Sequence, residues 1–146
     1  NTYGPRMRIK DTRQTFLGIW IRLLMEEKPI EVWGGEQLRD FNYIDDCIDA
    51  LINIAISEKS NGQVYNLGSH EYINLIDLAN LMVSLNGGGE TIIRPFPKER
   101  KKIDIGDYYS DYSRIKNDIS WEPKISLHDG IKKTLDYYNN YFKKYI

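Results

Sequence analysis

Pro29-Ile30-Glu31-Val32-Trp33-Gly34-Gly35-Glu36-Gln37-Leu38-Arg39-Asp40-Phe41 is the stretch on which the reading of the fold turns. Ile30 to Trp33 is a short apolar strand that begins at a proline and ends at a glycine pair, a turn signal. A second extended piece follows from about Arg39 to Ile44. Before the stretch, Phe16, Trp20, Leu23 and Leu24 recur at i, i+4, i+7 and i+8, and Leu17 and Ile21 widen the same face. That spacing predicts a helix running to about Lys28, where Pro29 stops it. After it, Asp45 or Asp46 can cap a helix with Ile48, Leu51, Ile52 and Ala55 as its apolar stripe, closed by Ser60-Asn61-Gly62.

Further out, Val64 to Leu67 reads as a buried strand. Asn74 with Asp77 three residues later makes a capped start for a helix that presents Leu75, Leu78, Met82 and Leu85 and stops at Gly87-Gly88-Gly89. Thr91 to Phe96 is a strand bounded by Pro95 and Pro97. A short helix near Tyr112 to Asp118 is blocked by Trp121 and Pro123, and Ser126 with Asp129 starts the last helix. Helix, strand, strand, helix, strand, helix, strand, helix, helix is the order of an α/β protein.

The 146 residues suit one domain, with 41% hydrophobic and 28% charged residues. Twenty basic residues against twenty-one acidic ones leave a net charge of −1, without the surplus that non-specific nucleic-acid binding requires. The single Cys47 forms no internal disulfide, and no apolar run approaches the ~20 residues of a membrane span. The expectation is a cytoplasmic protein with no nucleic-acid or membrane partner. The first residue is not Met and no signal-peptide pattern follows, so Asn1 is read as an internal position of a longer polypeptide.

Four segments in order, Asn1-Thr2-Tyr3-Gly4-Pro5-Arg6, Leu38-Arg39-Asp40-Phe41, Val64-Tyr65-Asn66-Leu67-Gly68 and Asp104-Ile105-Gly106-Asp107-Tyr108-Tyr109-Ser110-Asp111, carry a resemblance over nearly the whole chain. They resemble the C-terminal, substrate-binding part of the extended short-chain dehydrogenase/reductase family, the NAD-dependent nucleoside-diphosphate-sugar epimerases, dehydratases and decarboxylases. The resemblance implies a Rossmann-type parent whose NAD is bound mainly by an N-terminal half outside this chain. Residues 1–146 would form the substrate-binding part, and about 44–68 would contribute an edge strand and helix to the nucleotide-binding sheet. An apolar strand without its neighbour is an association hazard, so the chain by itself is expected to dimerise or aggregate.

The same resemblance implies a nucleoside-diphosphate sugar, UDP-linked, as partner, and a homodimer. Asn1 would contact the substrate, and the backbone near Arg13, Gln14 and Thr15 would pass the nucleobase. Arg39 matches the arginine that grips the substrate phosphates. Its guanidinium forks onto phosphate oxygens, and the alternative for this residue is a surface pair with Asp40 or Asp45. Trp33 lies on the strand that borders the base in this family. A flat indole can stack there, or it can fill the gap between sheet and helix. Where relatives often have Arg-Pro-Gly-Asp, this chain has Lys101-Lys102-Ile103-Asp104. Asp104 takes the place of the acid that meets ribose hydroxyls, and either Arg100 or Lys101 would take a phosphate.

Three patterns carry less than they suggest. Tyr112 and Lys116 have the spacing of a catalytic Tyr-x-x-x-Lys pair, but in the family that pair precedes the Tyr-Gly-Pro segment. Gly87 to Gly89 follows a helix, the reverse of a phosphate-binding loop. Asp45, Asp46 and Asp49 suit the positive end of a helix dipole, and His70 and His128 have no ligand companions, so no metal is assigned. The implied activity of the parent is epimerisation, in which a sugar carbon is oxidised transiently, inverted and reduced again. Dehydratase or UDP-glucuronate decarboxylase are the alternatives within the family, and this chain alone is expected to be inactive. A non-catalytic module that binds a sugar nucleotide or a protein is the alternative outside it.

Overall fold

The computed structural model describes residues 1–11, 15–101 and 104–146, with the side chains of Arg100 and Lys101 outside that description. Its elements are β1 (Thr2–Tyr3), α1 (Phe16–Met25), β2 (Ile30–Trp33), β3 (Leu38–Asp40), β4 (Asn42–Tyr43), α2 (Ile44–Ile56), β5 (Tyr72–Asn74), α3 (Leu75–Leu85), β6 (Thr91–Arg94), α4 (Lys98–Lys101), α5 (Ser113–Ile119) and α6 (Leu127–Tyr141). Strands pair in twos: β1 with β4 and β2 with β6 are parallel, and β3 with β5 is antiparallel.

On β2, Ile30 and Val32 are fully buried while Glu31 and Trp33 face outward. The inner face meets Leu17, Ile21 and Leu24 of α1, Leu78 and Met82 of α3, and Ile131 and Leu135 of α6 in one core cluster. Each such side chain contributes about 1.5–3 kcal/mol when fully buried. Two helix starts are capped as the sequence predicts. The Asn74 side chain accepts the Asp77 N–H at 2.8 Å, and Ser126 Oγ accepts the Asp129 N–H at 3.1 Å. Among the described residues no helix is long and apolar enough to cross a membrane.

Several expectations need correction. α1 ends at Met25, before Pro29 can act, because Glu27 takes φ 55°. The Lys28 N–H then reaches the Leu23 carbonyl at 2.8 Å and the Glu27 N–H the Leu24 carbonyl at 3.1 Å, a Schellman closure. α3 closes the same way through Gly87 at φ 76°. Neither Asp45 nor Asp46 caps α2. Its N-cap is Tyr43, without a side-chain bond, and the buried Asp46 carboxylate instead accepts N–H groups of Lys124 (3.1 Å) and Ile125 (3.0 Å).

Residues 64–67 form no strand, and Val64 is 78% exposed. A strand exists by pairing, and none of the described strands pairs with this segment. The Val64 carbonyl accepts from Arg114 Nη1 at 3.1 Å instead. The stripe expected to bury α2 is also exposed: Ile48, Leu51, Ile52 and Ala55 face outward, as does Ile56, while Asp46 and Ala50 face in. No sequence pattern announces strand β5. It is three residues long and is defined by its register on β3, with Arg39 opposite Ile73.

Candidate functional site

Arg39 is 9% exposed on the middle of β3, so it is not the surface arginine that an Arg-Asp pair suggests. Its Nη1 donates to the Leu38 carbonyl at 2.7 Å and to the Gly106 carbonyl. Nη2 lies 3.6 Å from Asp104 Oδ1. Neither Asp40 nor Asp45 takes that place. The sequence names Arg39 and Asp104 separately, and the fold brings them together.

Residues 104–110 make this possible by lying along β3 as a strap. The Leu38 N–H donates to Asp107 Oδ1 at 2.8 Å, the Tyr108 N–H to the Leu38 carbonyl at 3.0 Å, and Arg39 bridges to Tyr108 in parallel sense. Asp40 Oδ2 accepts the Ser110 N–H at 3.0 Å and the Ser69 N–H at 3.3 Å, and the residue is 4% exposed. Tyr109 stacks on Tyr72 with ring centroids 5.0 Å apart. A single buried carboxylate thereby fastens two loops to the strand that carries Arg39.

Asn1 is also tied to this strand, because its Nδ2 donates to the Asp40 carbonyl at 3.0 Å and its own carbonyl accepts the Asn42 N–H at 3.1 Å. Arg39 and Asp104 are in contact, and Asn1 is bonded to the backbone next to Arg39. Trp33 stands apart from it on β2, 37% exposed, in a groove with Ile19, Trp20 and Leu23 of α1 and with Pro29. It is therefore not a wholly buried filler between sheet and helix. Thr15 is the N-cap of α1, its Oγ1 accepting the Gly18 N–H at 3.3 Å. Arg13 and Gln14 lie outside the described residues. Arg100 and Lys101 belong to α4, and their side chains lie outside the description.

The Asp40 carboxylate, Gly106 and Asp107 hold the strap and β3 together, a role that their place in the sequence does not reveal. In the sequence Asp40 offers itself as a pairing partner for Arg39. The one available signal was an Arg-Asp pair on a short strand, which does not say that the acid turns away to bind backbone.

Tyr112 and Lys116 serve structure. Lys116 Nζ is 2.6 Å from Glu122 Oε2, which raises the ammonium above its ordinary value and lowers the carboxyl below its own. The Tyr112 ring packs edge-on against Trp121. Among the described residues no three His, Cys, Asp or Glu side chains gather to hold a metal. Nor does a glycine-rich turn lead from a described strand into a helix: α2 starts after Tyr43 and α3 after Asn74. The residues described here do not fit the pyrophosphate cradle that a dinucleotide requires.

The fold is that of part of a Rossmann-type epimerase/dehydratase chain. The UDP-glucose 4-epimerase of Thermotoga maritima, solved with UDP-glucose, superposes with a TM-score of 0.85 at 28% identity, over 97% of this chain and 44% of that one. Residues 1–68 match the model of the NAD dependent epimerase/dehydratase family. UDP-glucuronic acid decarboxylase 1 of Arabidopsis thaliana is 30% identical over 146 residues, 96% of this chain and 31% of that protein. UDP-glucuronate 4-epimerase of Thermodesulfobacterium geofontis is 34% identical over 143 residues, 92% of this chain and 40% of its own length. The chain thus spans less than half the length of each of these relatives.

Proposed function

We propose that this chain is the nucleotide-sugar-binding portion of an NAD-dependent sugar-nucleotide epimerase. The observation that carries the reading is Arg39: a nearly buried guanidinium, fixed through Nη1 by two carbonyls, on a strand braced by a second loop. A preset planar fork of this kind suits a diphosphate, because the side chain loses little freedom on binding. Arg39 would take the diphosphate, with Arg100 or Lys101 as the second cation. Asn1 would face the sugar, Asp104 the ribose, and Trp33 with the backbone of Arg13, Gln14 and Thr15 the base. Likeness to an epimerase solved with UDP-glucose supports a UDP-linked ligand. The decarboxylase from Arabidopsis, matched over 146 residues, supports decarboxylation as the second reading.

In this proposal residues 44–68 dock on a nucleotide-binding domain, and the exposed stripe of α2 is the surface that does so. Redox chemistry belongs to NAD, and no residue described here is assigned to it. The chain holds and orients the substrate, which is how positioning lowers a barrier. Calorimetric titration with UDP-glucose tests the reading. Arg39→Ala is expected to weaken binding at least ~10-fold, the loss of about 1.5 kcal/mol for one hydrogen bond to a charged group. Arg39→Lys should recover only part of it. Binding that Arg39→Ala leaves unchanged would refute the assignment.

A further inference from the structure

The guanidinium of Arg39 already has an anion beside it. Asp104 Oδ1 stands 3.6 Å from Nη2, while Asp104 Oδ2 accepts the Gly106 N–H at 3.3 Å. Gly106 takes φ 67°, and this left-handed turn lets the carboxylate of residue 104 and the carbonyl of residue 106 meet the same guanidinium. The strap therefore closes a collar around Arg39, with the carbonyl on Nη1 and the carboxylate on Nη2.

The two contacts differ in kind. The carbonyl bond orients the fork and carries no net charge. The carboxylate neutralises the cation, at a separation longer than a charge-assisted hydrogen bond, and its side chain is 26% exposed. Asp40 and Asp107 add two more carboxylates along β3, both committed to backbone N–H groups. Of the three, Asp104 is the one that lies against Nη2, and it holds the place beside Arg39 that a phosphate needs.

Resting on the reading of Arg39 as an anion site, we propose that Asp104 is a specificity-determining residue, the resident counter-ion that a ligand phosphate displaces from Arg39. Its carboxylate sets a threshold: a weakly charged anion does not replace it, and a diphosphate does. Unpaired repulsion of this kind is a common source of selectivity. A role for Asp104 at the ribose, taken up after it leaves Arg39, is compatible with this exchange and separable from it, because inorganic pyrophosphate has no ribose.

The test is calorimetric titration of the 146-residue chain with inorganic pyrophosphate, comparing wild type, Asp104→Asn, Asp104→Ser, Arg39→Ala and the double variant Arg39→Ala with Asp104→Asn. Asp104→Asn is expected to bind pyrophosphate at least tenfold more tightly than wild type, and Asp104→Ser likewise, which removes any special effect of the new amide. Arg39→Ala should abolish the gain in the double variant. Wild-type binding that depends on Arg39 but is unchanged or weakened by Asp104→Asn overturns the counter-ion proposal and leaves the Arg39 reading intact. Wild-type binding indifferent to Arg39→Ala removes the Arg39 reading, and the proposal with it. No binding by any variant at millimolar pyrophosphate also overturns the proposal, since freeing the cation should then have revealed a site.

Discussion

Asp40→Ala should loosen the strap that carries the site, and the size of the effect follows from the bonds lost. Asp40 Oδ2 accepts the Ser110 N–H at 3.0 Å and the Ser69 N–H at 3.3 Å, in a residue only 4% exposed. A hydrogen bond to a charged acceptor contributes about 1.5–3 kcal/mol, and the longer of these two belongs near the lower limit. Both amides are part-buried, so water recovers some of the loss, and about 3 kcal/mol is expected for the two together. Asp40→Asn keeps one acceptor oxygen and should cost about 1 kcal/mol. With a urea slope of about 2 kcal/mol/M, the midpoint should fall by about 1.5 M for Ala and about 0.5 M for Asn. Hydrogen exchange gives an independent readout, because the amides of Ser69 and Ser110 should lose protection before those of β2. A midpoint for Asp40→Ala within about 0.3 M of wild type, at unchanged slope, would refute the claim that this carboxylate fastens the two loops.

The buried phenols predict a pH dependence and the exposed stripe of α2 an association. Burial holds the Tyr3 hydroxyl far above its ordinary value, with Tyr43 and nearby carboxylates adding to the effect, and burial does the same for Tyr138. For a group raised in the folded state, the stabilisation is complete below the unfolded value of about 10 and is lost as pH rises toward the folded one. Phenolate absorbance should therefore show Tyr3 and Tyr138 ionising only together with unfolding, and Tyr3→Phe should weaken the alkaline dependence. All eleven tyrosines titrating in one step on a folded chain would contradict this. On α2, Leu51 and Ile52 are 59% and 56% exposed, so Leu51→Glu with Ile52→Glu should change stability by less than about 0.5 kcal/mol. Light scattering should show the wild type associating and the double variant monomeric; a monodisperse wild-type monomer would count against the stripe as a sticky surface.

The amino-acid sequence by itself determined several helix starts and stops that depend on residues three or four apart, though not the start of α2 or the end of α1. Asn74 with Asp77 and Ser126 with Asp129 start helices, Gly87 ends one, and the period of Phe16 to Leu24 turns α1 toward the core, because each of these contacts closes within a turn of backbone. Arg39 could be singled out as a fork suited to phosphate, and Asp104 only through the resemblance of its segment. The sequence did not contain their meeting, which depends on a strap bonded to β3 across 67 to 70 positions. Nor did it contain β5, which has three residues and no pattern of its own until β3 supplies its partner. Periodicity told that α2 has an apolar face, and tertiary structure told that this face is not the buried one. A helix or turn completes its hydrogen bonds locally, whereas a short strand, a buried ion pair or an outward-facing stripe is defined by groups far along the chain. Only the folded arrangement brings those groups within reach.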